Sequence, residues 1–238
     1  MTETEWLKCG NPILQFEHDR GWPSPRKQRL FATACCRRIG HLLTDERWWN
    51  GISVAELYAD RRTARPALID AGVKADIGRP ARATYADILR EQCGLAVQWA
   101  CHTKHRRYAA ISAVHGASAA GYSAMPPAEP FVPPAYSRHH AQWSATERAE
   151  SAAQLALLFD VCNDPFRPPA AFSSAWRTDT AVALARQMYE SREFGAMPIL
   201  ADALQDAGCD SADILDHCRG PDPHVRGCWV VDLVLGKE

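Results

Sequence analysis

The sequence predicts an all-α protein, an irregular multi-helix bundle built as one domain or as two packed helical subdomains. Three observations predict it. Apolar residues recur at three- and four-residue spacing, residues that start and stop helices punctuate those runs, and neither a βαβ alternation nor a hairpin signal occurs. The 238 residues suit one large domain or two small ones. A hydrophobic content of 47% and a charged content of 23% match globular chains and argue against global disorder.

Taken in order, Thr2 with Glu5 forms a capping-box pattern for a short helix ending at Gly10, and Asn11-Pro12 opens a second. Ser24-Pro25 precedes a helix over 26–43. On a wheel of 100° per residue, Phe31, Ala32, Cys35, Cys36, Ile39, Leu42 and Leu43 share an arc of about 140°. Arg26, Lys27, Arg37, Arg38 and His41 share another of about 120°. Thr44 or Asp45 caps a short turn through Trp48 and Trp49, and Ser53 caps a helix to Arg62. From Thr63 to Arg82, Pro66, Gly72, Gly78 and Pro80 act as breakers. A long helix is expected from Thr84 to Val114. The run from Gly116 to Gln142, rich in Ala and Pro, reads as a connection with polyproline character.

Ser144 with Glu147 starts a helix to Cys162, stopped by Asn163-Asp164-Pro165. Thr178 or Asp179 caps a helix to Arg192, Met197-Pro198 starts one ended by Gly208, and Ser211 begins another to Cys218. Gly220-Pro221-Asp222-Pro223 forms a turn. Val225 to Leu235 fits a helix or a buried strand.

Charge divides the chain. Residues 1–119 hold 18 Lys/Arg against 12 Asp/Glu, and residues 120–238 hold 9 against 16. The expected organisation is a basic helical half (1–115), a Pro/Ala-rich connection (116–142) and an acidic helical half (143–238). No apolar run approaches the roughly 20 residues of a membrane span, and the N-terminus has no signal-peptide pattern. A cytoplasmic protein with no membrane partner is expected, whose nine cysteines are thiols or metal ligands rather than disulfides.

The strongest chemical signal is near the C-terminus. Cys209, His217, Cys218, His224 and Cys228 fall within 20 residues, and His224 and Cys228 are four apart. On a helix those two would share a face, a spacing that zinc ligands use. The alternative is that Cys218 and Cys228 pack beside Ile214, Trp229 and Val230. Cys101 and His105 repeat the four-residue spacing, but Lys104, Arg106 and Arg107 make the field there positive, which opposes a cation. Asp202, Asp206, Asp210, Asp213 and Asp216 do not follow calcium-loop spacing and read as capping or solvated groups. His139-His140 lie in the Pro-rich connection without a defined chemistry.

No Gly-x-Ser-x-Gly elbow, His-Glu-x-x-His or phosphate loop occurs, so no catalytic residue is assigned. The face of Arg26, Lys27, Arg37, Arg38 and His41 is a candidate interaction surface, extended by Arg61, Arg62 and Arg65 or by Lys104, Arg106 and Arg107. The expected function is a non-catalytic helical interaction or scaffold module that binds protein. The alternatives are a zinc protein, structural or hydrolytic, and a nucleic-acid binder acting through residues 26–41.

The chain ends also resemble a known family. Glu5-Trp6-Leu7, the segment Arg26-Lys27-Gln28-Arg29-Leu30-Phe31-Ala32 and Cys35-Cys36-Arg37-Arg38-Ile39 are similar to the opening of a large paralogous family of uncharacterised planctomycete-type bacterial proteins. So are 163–168 and the stretch from Pro198 through His217-Cys218-Arg219-Gly220-Pro221 and His224-Val225-Arg226-Gly227-Cys228-Trp229 to Gly236-Lys237. Gly40 stands where the family leads one to expect tryptophan, and Asn163 where it leads one to expect glycine. The resemblance covers about half the chain and implies a bacterial origin but no activity.

Overall fold

The computed structural model describes residues 4–5, 23–78, 83–103, 108–127, 129–133, 139–164, 166–167 and 170–237. Among these the chain is all-α, as expected. The helices are α1 (Pro25–Arg38), α2 (Glu46–Ala59), α3 (Arg65–Ala75), α4 (Tyr85–Ala100), α5 (Tyr108–Ser123), α6 (His140–Cys162), α7 (Asp179–Ser191), α8 (Met197–Asp206), α9 (Ala212–Arg219) and α10 (Trp229–Leu235). Short 3-10 turns cover Gly40–Leu42 and Ser174–Trp176. No described helix is long and apolar enough to cross a membrane. Contacts divide the chain into two compact units, 1–155 and 156–238, the division falling inside α6. The first unit holds 20 Lys/Arg against 15 Asp/Glu and the second 7 against 13.

In the first unit α1 packs against α2, α4 and α5. The Ser24 side chain accepts from the Lys27 amide at 3.3 Å and sets its start. Every residue from Arg29 to Cys36 is buried, so the middle of α1 is enclosed on all sides rather than amphipathic. Asp45 caps α2, which runs through Ser53 without a break to Ala59. Pro66 stands in the first turn of α3, where its missing amide leaves no helical hydrogen bond unmade; it starts the helix rather than breaking the chain. Gly40 lies beneath the Trp49 ring, where a Cβ would come within 2.9 Å of Cη2.

The long helix expected over Thr84–Val114 is two helices. Thr84 and Asp87 form a reciprocal capping box at the start of α4, and Cys101 ends it. At this end the Arg29 guanidinium donates to the Ala100 and His102 carbonyls at 2.5 and 3.0 Å. The Tyr58 and Tyr108 rings flank that guanidinium at 5.1 and 4.6 Å. α5 then packs closely on α4 and continues to Ser123, with Gly116, Ala117, Ala119, Ala120 and Gly121 buried. The first eight residues of the expected 116–142 connection are therefore its last two turns. Small side chains let α5 approach its neighbours on most sides. Further on, α6 begins at His140, one turn before Ser144, whose hydroxyl accepts from Arg148 inside the helix.

The second unit comprises the end of α6 and α7 to α10. Ala181, Ala185, Met188, Leu200, Leu204, Ile214, Val230, Val231 and Val234 form its core. Asn163 ends α6 with φ +63°, a left-handed position that explains why glycine also suits it. The Thr178 hydroxyl caps α7, accepting from the Ala181 amide at 3.3 Å. Residues 229–235 are helix, which settles the open choice for the tail against a strand. The two short helices expected before residue 20 lie outside the described residues, apart from Thr4 and Glu5, which are helical.

Candidate metal centre

Four side chains of the second unit converge. Asp160 projects from the last turn of α6, His217 from α9, and Cys228 is the N-cap of α10. His224 lies in the loop between α9 and α10. One donor atom from each lies within 4.8 Å of all the others. Asp160 and Cys228 are buried and the two histidines partly so: relative exposure is 1% for the Asp160 side chain, 7% for His224 and 17% for His217, and 0% for Cys228.

Asp160 is the hub. Its Oδ1 lies 2.7 Å from His224 Nδ1 and 3.2 Å from His217 Nε2, while Oδ2 accepts from the Val225 amide at 2.8 Å. Burial pushes this carboxyl up, but the hydrogen bonds and charge of His217 and His224 outweigh it and hold it below the usual carboxylate value. Cys228 Sγ lies 3.2 Å from His217 Nε2 and 4.0 Å from His224 Nδ1. Burial, with the Asp160 charge behind it, pushes the Cys228 thiol well up. Trp229 lies against the His217 ring at 5.0 Å, and the two imidazoles meet edge to face at 4.9 Å. Among the described residues, the buried Nε2 of His224 meets no hydrogen-bond partner.

The orientation of the rings decides what this group can do. A nucleophile, base and orienter in series need the thiol and the carboxylate on opposite nitrogens of one imidazole. Here His217 presents the same atom, Nε2, to both Cys228 and Asp160. His224 likewise turns Nδ1 toward both. Donors that face one point, rather than a chain, form a cage, and the group can hold a metal ion.

Of the five expected ligands, the structure brings together His217, His224 and Cys228 and leaves out Cys209 and Cys218. Both of these are buried in the apolar core beside Ile214 and Val230, and burial pushes the Cys218 thiol up to about 12. His224 and Cys228 meet through a turn rather than a helix: the Cys228 amide donates to the Val225 carbonyl at 2.9 Å. Gly227, at φ +100°, makes that turn. Asp160 was not expected. Its signal was a single carboxylate inside the apolar run Leu155-Ala156-Leu157-Leu158-Phe159-Asp160-Val161 at the end of a helix.

The other candidates take local partners. Cys101 is buried, donates to the Gly51 carbonyl at 3.4 Å and is pushed up to about 12 by burial; His105 lies outside the described residues. Asp202 pairs with Arg219 at 2.8 Å and Asp213 with Arg167 at 3.3 Å. On the expected interaction face, Arg26 meets Asp60 at 3.2 Å. Arg37 meets Glu56 through two bonds of 2.6 and 3.1 Å, and Arg38 meets Glu150 through two of 3.0 Å. Lys27 is half-buried and His41 exposed. Most of that face is thus spent within the chain, because each arginine has a carboxylate within reach, at the end of α2 for Arg26, on α2 for Arg37 and on α6 for Arg38.

Comparison with protein-family models, curated proteins and solved structures finds no match for this chain.

Proposed function

We propose that residues 156–238 form a zinc-stabilised, non-catalytic helical module, with Asp160, His217, His224 and Cys228 as the four ligands. The convergence of both imidazoles on one carboxylate oxygen and one sulfur carries this reading. Two nitrogens, one thiolate and one carboxylate oxygen are all donors that zinc accepts. Tetrahedral zinc with ordinary bond lengths separates such donors by about 3.3–3.6 Å, and the separations here start at 2.7 Å and all lie within 4.8 Å. Metal would replace the proton on Cys228 and draw the longer contacts in.

The structural role, rather than a hydrolytic one, follows from closure. A hydrolytic zinc keeps an open position for water or substrate, whereas four protein donors, Asp160 and Cys228 buried and the histidines partly so, fill a tetrahedron. Bound metal would join the end of α6, the end of α9, the loop before α10 and the start of α10. The pairing of Arg26, Arg37 and Arg38 with carboxylates weakens the reading of that face as a nucleic-acid or protein surface. Membership of the planctomycete-type family belongs to the same proposal. The segments that carry the resemblance contain His217, His224 and Cys228 and resume three residues after Asp160.

Metal analysis of the purified full chain tests this. One zinc per chain is expected, lost on His224→Ala or Cys228→Ala and on chelation, with a lower Tm for the metal-free protein. A chain that stays metal-free and fully folded after expression with zinc supplied would overturn the proposal.

A further inference from the structure

Resting on that metal reading, we infer that Asp160 is the specificity-determining ligand, held to single-oxygen binding by the Val225 amide so that the site accepts four-coordinate zinc or cobalt(II). A carboxylate offering both oxygens raises the coordination number and suits larger, harder ions. At Asp160 the two oxygens have separate tasks. Oδ2 accepts from the Val225 N–H at 2.8 Å, and Oδ1 is the oxygen that meets both imidazole nitrogens. At 1% exposure the side chain has almost no contact with solvent that would release Oδ2.

The same loop supplies both halves of the device. Val225 directly follows the ligand His224, so placing the imidazole also places the amide that restrains the carboxylate. Donor chemistry adds to geometry. One thiolate among two imidazoles and a carboxylate is a borderline set, which favours zinc over soft ions that prefer several sulfurs. It also disfavours manganese and magnesium, which want six oxygens. Asp160 is therefore where hardness and coordination number are both set, and exchanging its oxygen for sulfur should change the preferred metal while keeping the site.

The test uses the full chain, stripped by chelation and titrated separately with cobalt(II), zinc, cadmium and manganese(II). Wild type is expected to give the intense visible bands of tetrahedral cobalt with a thiolate charge-transfer band that Cys228→Ser removes, and to bind manganese at least about 100-fold more weakly than zinc. Loss of even an outer partner costs about 10–100-fold in affinity, so Asp160→Asn should weaken zinc by at least that much. Asp160→Cys should shift the cadmium-to-zinc preference toward cadmium at least about tenfold. Cobalt that binds with the charge-transfer band but weak five- or six-coordinate visible bands would overturn this inference and leave the metal site standing. A folded Asp160→Cys chain that keeps the wild-type preference would do the same. No cobalt binding and no charge-transfer band would overturn the metal reading itself. If neither Asp160 variant folds, the wild-type cobalt spectrum alone decides.

Discussion

Arg38 and Glu150, 112 residues apart, meet through two parallel hydrogen bonds of 3.0 Å each, from Nε to Oε1 and from Nη2 to Oε2. The two ends of the pair differ in environment: the Arg38 side chain is 35% exposed and the Glu150 side chain 9%. The arginine is a reach from the surface to a nearly buried carboxylate, and its pKa is raised first by that hydrogen bond.

Arg38→Ala should therefore destabilise the protein chiefly by stranding Glu150. Breaking a fully buried pair costs about 3–5 kcal/mol; with one partner a third exposed, about 1–2 kcal/mol is expected after allowing for solvent screening. Gln154, which donates to Glu150 Oε1 at 3.3 Å, compensates only in part. Arg38→Lys should recover little, since an ammonium cannot make the two-point contact. The control is Arg47→Ala, which removes the exposed Asp45 pair on the same unit. Urea unfolding separates these outcomes: equal losses for Arg38→Ala and Arg47→Ala would make the Glu150 contact a surface ornament.

Asp45 predicts an acid-limb effect of known sign. The Arg47 guanidinium and then the Arg47 amide, both hydrogen-bonded to its carboxylate, pull its pKa from 3.8 down to about 2. The folded value is the lower one, so the stabilisation is present above the unfolded pKa and is lost as pH falls from 3.8 to 2. Asp45→Asn keeps a good N-cap and removes the charge. Its stability should fall below wild type at neutral pH, by under about 1 kcal/mol for so exposed a pair, and converge on wild type near pH 2. Thermal melts across that range check it; a gap that persists at the acid end would show that the charge is not the cause.

The contrast between these two pairs explains what was legible in the sequence. Ser24 and Thr178 were readable as caps because each acts on an amide three residues ahead. Ser53 and Ser144 have the same chemistry but lie inside helices that start earlier, α2 at the Asp45 cap and α6 at His140. The break after Ala100 escaped the pattern; there the Ala100 carbonyl is taken by Arg29, which arrives from another helix. The candidate metal centre divides in the same way. His217, His224 and Cys228 are close in sequence and stood out by residue type. Asp160 lies 64 residues before His224 and reaches it only through folding. Cys209 and Cys218 misled because thiols serve equally as ligands and as small core side chains.

That double role gives a last prediction, on thiol reactivity. The reactive species is the thiolate, and burial pushes Cys36, Cys93 and Cys101 of the first unit up to about 12. Each is also tied to an oxygen: Cys36 meets the Ser112 hydroxyl at 3.6 Å, Cys93 the Leu42 carbonyl at 3.9 Å and Cys101 the Gly51 carbonyl at 3.4 Å. Among the described cysteines, Cys162 alone is not buried. In a Cys9→Ser background, which removes the one cysteine outside the described residues, an aromatic disulfide reagent near pH 8 should label one thiol quickly. Cys162→Ser should abolish that phase, and the remaining thiols should react only at the rate of unfolding. Rapid labelling of several thiols in the native Cys162→Ser chain would show that the buried cysteines are reached by local opening, and that burial does not govern their chemistry.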